Sequence, residues 1–357
     1  MSHVLLAGRF DPGDPSCSAR LQAFAGGLDG VTVATTAPRS LAAPLGFTSL
    51  VDSRRALVGA VMDCDVVVVA GGNALDGARR LRATAPAVPT AQLVALARAC
   101  RRPVALVGIG AERIEGRVAR ALARFVVRSA DLLVVRDEPS AATLDGAGAI
   151  VPVRVAADPV WCALRRSGAT LARDGLVVVV DTVAVSMPLL AELSTALAMM
   201  LSIRVSVQPW RSTDVGSAAL LAEMLPAPVD VVPPVLTLDA AMRTFATVEV
   251  VVSMHEHATM AAAAAGTPSV AVGRSPSLAA LAGRLGHDLV DRPVGARRLV
   301  DVLERARGLR QSLAAVRHEQ ALAEGSMALL RLLVDRGDVP ELAAIDGLTL
   351  SDGRPVR

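Results

Sequence analysis

Two histidines one residue apart, His255 and His257, stand between an apolar run (VEVVVSM, 248–254) and an alanine-rich stretch that closes at Gly266. This context reads as a strand, a turn and a helix whose alanines let it pack very near a sheet. Imidazoles at a strand's carboxyl end and a helix's amino end can meet anionic groups and exchange protons near neutral pH. His255 and His257, with Glu256 beside them, are therefore candidates for ligand contact and proton exchange. A purely structural pair is the competing reading. If strand geometry continues through the segment, 255 and 257 share one face and Glu256 points away from His257. No third ligand at helical spacing accompanies the histidines, so no metal and no cofactor is expected.

A second group follows the apolar run LLVV (132–135): Arg136, Asp137, Glu138 and Ser140, with Pro139 fitting the first turn of a helix. A carboxylate there complements the positive helix end. The planar fork of Arg136 could hold a carboxylate or phosphate through two hydrogen bonds, which would make it catalytic; equally, it could pair with Asp137 or another acid and fix the loop. A third group, Gly71, Gly72 and Asn73, ends the run VVVVAGG (66–72). Adjacent glycines let backbone N–H groups approach a phosphate or sugar, although they also serve a tight turn.

Each group needs a sheet to position it. Valine-rich runs recur at 4–8, 31–35, 66–72, 104–110, 132–138 and 151–159, with amphipathic segments rich in Ala and Arg between them. After the polar stretch RRSGATLARDG (165–175) the pattern restarts at 176–182, 203–210, 229–234, 248–254 and 268–273. That alternation is the mark of β-α-β units with sheets buried on both faces. The expected fold is α/β, with two Rossmann-like doubly wound domains facing a cleft: residues 1–165, then 175–310, then a C-terminal helix and tail over 311–357. In open sheets of this kind ligands bind beyond the carboxyl ends of the strands.

The chain has 357 residues, 52% of them hydrophobic, and a net charge of +3. All 37 basic residues are Arg. Anions must therefore be held by Arg, His or backbone N–H groups, and amine chemistry on a lysine is excluded. Aromatics make up 2% with no Tyr, which removes the stacking platforms of single-strand nucleic-acid binders. No apolar stretch reaches the length of about 18 residues that a membrane-spanning helix needs. The N-terminus lacks the pattern of a secretory signal, so the protein is expected in the cytoplasm. Cys17, Cys64, Cys100 and Cys162 form no CxxC pair and indicate neither zinc nor disulfides.

The succession VVVVAGGNALDG, PVALVGIGAE, ADLLVVRDEPSAATLDGAG, VAADPVW and VVVSMHEHATMAAAAAGTPSVAV resembles the polysaccharide pyruvyl transferase family over about residues 60–285. The RDE-P-S segment and the Asp158–Pro159 pair that follows are its most specific parts. Members are similar to GT-B glycosyltransferases in architecture. They move the enolpyruvyl unit of phosphoenolpyruvate onto two hydroxyls of a sugar, forming a cyclic ketal and releasing phosphate, in polysaccharide biosynthesis. The resemblance implies a proton donor for the methylene carbon, a base for the attacking hydroxyl and cations for the donor, roles that fall to His257, Arg136 and His255, with Asp158 a substrate contact.

Two positions depart from the family pattern. The family carries Arg, an apolar residue and His where this chain has His255, Glu256 and His257, and its Gly-Asp-Glu near the N-terminus reads Gly13, Asp14 and Pro15. His255 is thus a weaker stand-in for a permanent cation. The resulting expectation is a transferase acting on a sugar or other small hydroxylated metabolite, with a small-molecule donor and a sugar-like acceptor as its partners. The alternatives are a GT-B-like glycosyltransferase using a nucleotide sugar and a non-catalytic binding protein that kept the fold. No nucleic-acid partner is expected, and homo-oligomerisation is left open.

Overall fold

The computed structural model describes residues 2–51, 53–77, 86–112, 114–165, 172–181, 186–200, 203–225, 229–337 and 349–350. The chain divides into two compact units. The first comprises Met1–Pro12, Cys17–Ala163 and His318–Arg357; the second comprises Gly13–Ser16 and Leu164–Arg317. Most of the polar stretch 165–175 and of the tail after 337 lies outside the described residues.

The first unit is built on an eight-stranded sheet. Its strands are β1 (His3–Ala7), β2 (Thr32–Thr35), β3 (Thr48–Ser49), β4 (Val66–Gly72), β5 (Val104–Ile109), β6 (Leu132–Val135) and β7 (Val153–Val155), joined late in the chain by β14 (Thr349–Leu350). They run in the order β14-β7-β6-β5-β4-β1-β2-β3, parallel except for the β14–β7 pair. The second unit holds β8 (Leu176–Val180), β9 (Val205–Pro209), β10 (Asp230–Val231), β11 (Val250–Ser253), β12 (Ser269–Val272) and β13 (Asp288–Val290) in the order β10-β9-β8-β11-β12-β13, all parallel. Both sheets are Rossmann-like and doubly wound.

Unbroken valine runs make these strands because both sheet faces are covered. Every residue of β5, β6, β8 and β11 is buried. Burying one such valine removes its side chain from water at a gain of about 1.5–3 kcal/mol, so the central strands anchor each unit. Alanine covers the second sheet at closest approach: the helix Glu256–Ala264 is buried from His257 onward.

The order of strands also sets where side chains can meet. In the first sheet β1 leads to β2 and β3 on one side, while β4 starts the series on the other. In the second, β8 leads to β9 and β10 on one side, and β11 opens the other. Such reversals leave a crevice at the carboxyl ends of the two strands flanking the switch, β1 with β4 and β8 with β11.

Three short strands lay outside the apolar runs: β3, β13 and β14 are two or three residues each. The C-terminal helix expected within 311–357 is Leu313–Arg336, and another helix, Ala296–Arg307, precedes it across Gly308. Leu313–Arg336 returns to the first unit, where Met327 lies against Gly27 and Arg331 Nη1 donates to the Asp29 carbonyl at 2.6 Å. Among the described residues no helix is long and apolar enough to cross a membrane.

Candidate functional site

In the second unit, three adjacent strands deliver polar side chains to one edge. β8 ends at Val180 and is followed by Asp181; β9 ends at Pro209, followed by Trp210 and Arg211; β11 ends at Ser253, ahead of His255. Because β8 and β11 are neighbours at the switch, His255 Nε2 comes within 3.8 Å of Asp181 Oδ2. Arg211 Nη2 pairs with the other Asp181 oxygen at 2.8 Å, and its Nε reaches Asp214 at 3.3 Å. Trp210 is fully buried and stacks on His255, with ring centroids 4.9 Å apart.

The helix begins one residue earlier than strand alternation would allow. His255 is its N-cap, with Nδ1 accepting from the His257 N–H at 3.2 Å, and Glu256 occupies the first helical turn. The expected opposition of Glu256 to a shared 255/257 face is therefore corrected: helical rather than strand geometry sets the three directions. A ring nitrogen that accepts must keep its lone pair, so this cap assigns the neutral ring's proton to Nε2, the nitrogen facing Asp181. His255 and His257 lie 5.3 Å apart, centroid to centroid. His257 is 5% exposed.

Asp14 completes the group, since Gly13–Ser16 clusters with this unit. Its Oδ1 accepts from the Ser16 N–H at 2.9 Å and the Ser16 hydroxyl at 2.6 Å. Burial alone would raise this carboxyl, but the positive charge of His255 and His257, with the Ser16 hydrogen bonds, brings it down to about 2. At neutral pH Asp14 is an anion and not a proton carrier. Burial works against the charge on Arg211, yet Asp181, Asp214 and Asp14 outweigh it and raise its pKa. The permanent cation at this edge is thus Arg211, which the sequence reading passed over, as it did Asp181 and Trp210. Their one signal was position, at the end of a predicted strand or directly after it.

Beside this edge, Gly273, Arg274, Ser275, Pro276, Leu289 and Arg292 are among the residues lining a pocket of about 340 Å³. Ser275 caps the helix Pro276–Leu285 and its hydroxyl donates to Glu256 Oε1 at 3.1 Å. Glu256 is thereby tied to the pocket rim.

The first unit gathers the other expected residues. Arg136 is 6% exposed and is ringed by oxygen: Asn73 Oδ1 at 3.0 Å, Asp137 at 3.4 Å, Asp158 at 3.6 Å and Glu112 at 3.7 Å. Three carboxylates around one guanidinium leave the knot with an excess of negative charge, which repels an added anion. This geometry suits the role of fixing loops at the ends of β4, β5, β6 and β7. Gly110 makes room for the knot, since a Cβ there would stand 2.5 Å from Asn73 Oδ1 and 2.7 Å from Arg136 Nε. Asp137 caps the helix Glu138–Gly146 by accepting from the Ser140 N–H at 2.8 Å, Ser140 Oγ accepts from the Ala111 N–H at 3.0 Å, and Glu138 is exposed in the first turn.

Gly71 and Gly72 both hold positive φ, +55° and +66°, at the end of β4. Over them lies Arg20, from the helix Pro15–Gly27: a Cβ on Gly71 would be 2.7 Å from Arg20 Nε, and one on Gly72 3.5 Å from Nη1. Among the described residues no group of three or more His, Cys, Asp or Glu side chains is placed to hold a metal ion.

The family model for polysaccharide pyruvyl transferase matches residues 34–276. No curated protein matches the sequence. Solved structures resemble it at low identity. The UDP-GlcNAc 2-epimerase of Neisseria meningitidis, solved with UDP-GlcNAc, has a TM-score of 0.60 at 11% identity, over 93% of this chain and 98% of that one. HepE of Anabaena, solved with UDP-glucose, has 0.57 at 13%, over 94% and 95%. MurG of Acinetobacter baumannii has 0.52 at 14%, over 93% and 99%. At such identities the likeness establishes the fold, two Rossmann-like domains of the GT-B type.

Proposed function

The chain belongs to the polysaccharide pyruvyl transferase family, and on that premise we propose that it transfers an enolpyruvyl-type unit to a sugar or another small hydroxylated metabolite. The supporting observation is the meeting of His257, His255, Asp14, Asp181 and Arg211 at the switch point of the second sheet. With phosphoenolpyruvate as donor, the methylene carbon takes up a proton and an acceptor hydroxyl forms a bond to the carbon that carries the phosphate. The hydroxyl's proton passes to a base and phosphate departs; a second hydroxyl attacks the same carbon, gives up its proton to the released phosphate and closes the ketal.

His257 is the residue for the proton. Its ring nitrogens can both donate and accept a proton, and the His255 cap holds it at a helix amino end. Asp14 remains ionised and serves as a fixed negative charge beside the imidazoles. Arg211, paired with Asp181 and Asp214, holds the edge in place, and His255, whose Nε2 faces Asp181, completes it. Arg136 acts from a distance as a positioning residue for the first unit's loops.

A second reading is favoured by the pocket beside Ser275. Two guanidinium groups and a helix amino end suit a diphosphate, and HepE was solved with UDP-glucose. The test measures melting temperature with phosphoenolpyruvate and with UDP sugars, then phosphate release from phosphoenolpyruvate with a panel of sugars, for the native chain and His257→Ala. The proposal expects a shift with phosphoenolpyruvate and loss of release in the variant. A shift with UDP sugars alone supports the second reading, and full release by His257→Ala removes His257 from the chemistry.

A further inference from the structure

Arg20 is 5% exposed, and among the described residues nothing accepts a hydrogen bond from it and no carboxylate pairs with it. A guanidinium stays protonated in proteins, so this is a buried positive charge that no described residue compensates. Arg136, also buried, is compensated by three carboxylates, whereas Arg154, 2% exposed, shares with Arg20 an Nε that has no hydrogen-bond partner. Arg20 is also found where ligands bind in open sheets, at the switch between β1 and β4. Two successive glycines in the left-handed region make space for it, and Gly72 and Asn73 just beyond remain half-exposed. A side chain at Gly71 would displace the guanidinium.

The geometry points to Arg20 as the binding residue for an oxyanion of a small-molecule ligand, a carboxylate or a phosphate, seated over Gly72 at the carboxyl end of β4. The bound oxyanion supplies the missing negative charge and accepts the guanidinium's N–H groups in a fork. This site lies wholly in the first unit and does not depend on the chemistry proposed for His257.

The experiment follows thermal unfolding of the full chain in a zwitterionic buffer at constant ionic strength, titrated with inorganic phosphate in one arm and pyruvate in the other. Native protein is expected to melt higher with at least one of the two, since an anion that binds only the folded state stabilises it. A response to phosphate alone identifies a phosphate site, and one to pyruvate alone a carboxylate site. In Arg20→Met the apparent affinity falls about 10- to 100-fold, the size expected for a lost charged hydrogen bond, while the melting temperature without anion is no lower than native, because the substitution removes an unpaired charge. Arg20→Gln, close in shape but neutral, shows the same loss of affinity and serves if the methionine variant does not fold. Unchanged affinity in the variants, no response in native protein, or a lower melting point of Arg20→Met without anion overturns the assignment.

Discussion

Replacing Asp14 by Asn tests the electrostatics of the histidine edge with little change of shape, since the Asn side-chain oxygen can still accept from Ser16. The Asp14 carboxyl lies at about 2 in the folded chain against 3.8 for the isolated group. At about 1.4 kcal/mol per pH unit, that difference corresponds to about 2 kcal/mol of folding stability. The sign follows from linkage: a carboxyl with a lowered folded pKa adds stability that is complete above the unfolded value and vanishes as pH falls through the folded one. Chief among the effects that lower the Asp14 value are the positive charges of His255 and His257. Asp14→Asn should therefore cost about 2 kcal/mol at pH 5.5 and less than half of that at pH 2, where the folded carboxyl is itself taking up its proton. The assay is urea unfolding at both pH values, followed by the fluorescence of Trp210, which stacks on His255, in a Trp161→Phe background. An equal cost at both pH values, or one below about 0.5 kcal/mol at pH 5.5, would refute the reasoning.

Arg136→Met should destabilise the protein by about 3–5 kcal/mol, because it strands three carboxylates that were compensated in a buried setting. A loss below about 1 kcal/mol at pH 7 in denaturant titrations would contradict the knot. Burial pushes the Cys64 thiol up to about 11, so a disulfide reagent at pH 8 should leave it unmodified in native protein while half-buried Cys100 reacts; peptide mapping that finds Cys64 labelled first would overturn this.

Much of the architecture is a local property of the chain. Runs such as LVVV and VVVV can only be strands buried on both faces, and their restart after the polar stretch at 165–175 announces a second sheet. The family resemblance was legible for the same reason, since strand-end motifs such as RDEPS keep their order along the chain. What the sequence could not determine was which strand ends become neighbours. Asp181 and His255 are 74 positions apart and meet because β11 pairs with β8 across the switch. Arg211 joins them through β9, and Asp14 from near the N-terminus. Arg20 is invisible in sequence for a further reason: that no described residue pairs with it can be read only from the positions of its neighbours. The start of the Glu256–Ala264 helix was a contest between strand alternation and helix capping. The tertiary structure decided it, because burial of the alanines against the sheet carries helical geometry back to Glu256 and makes His255 its cap.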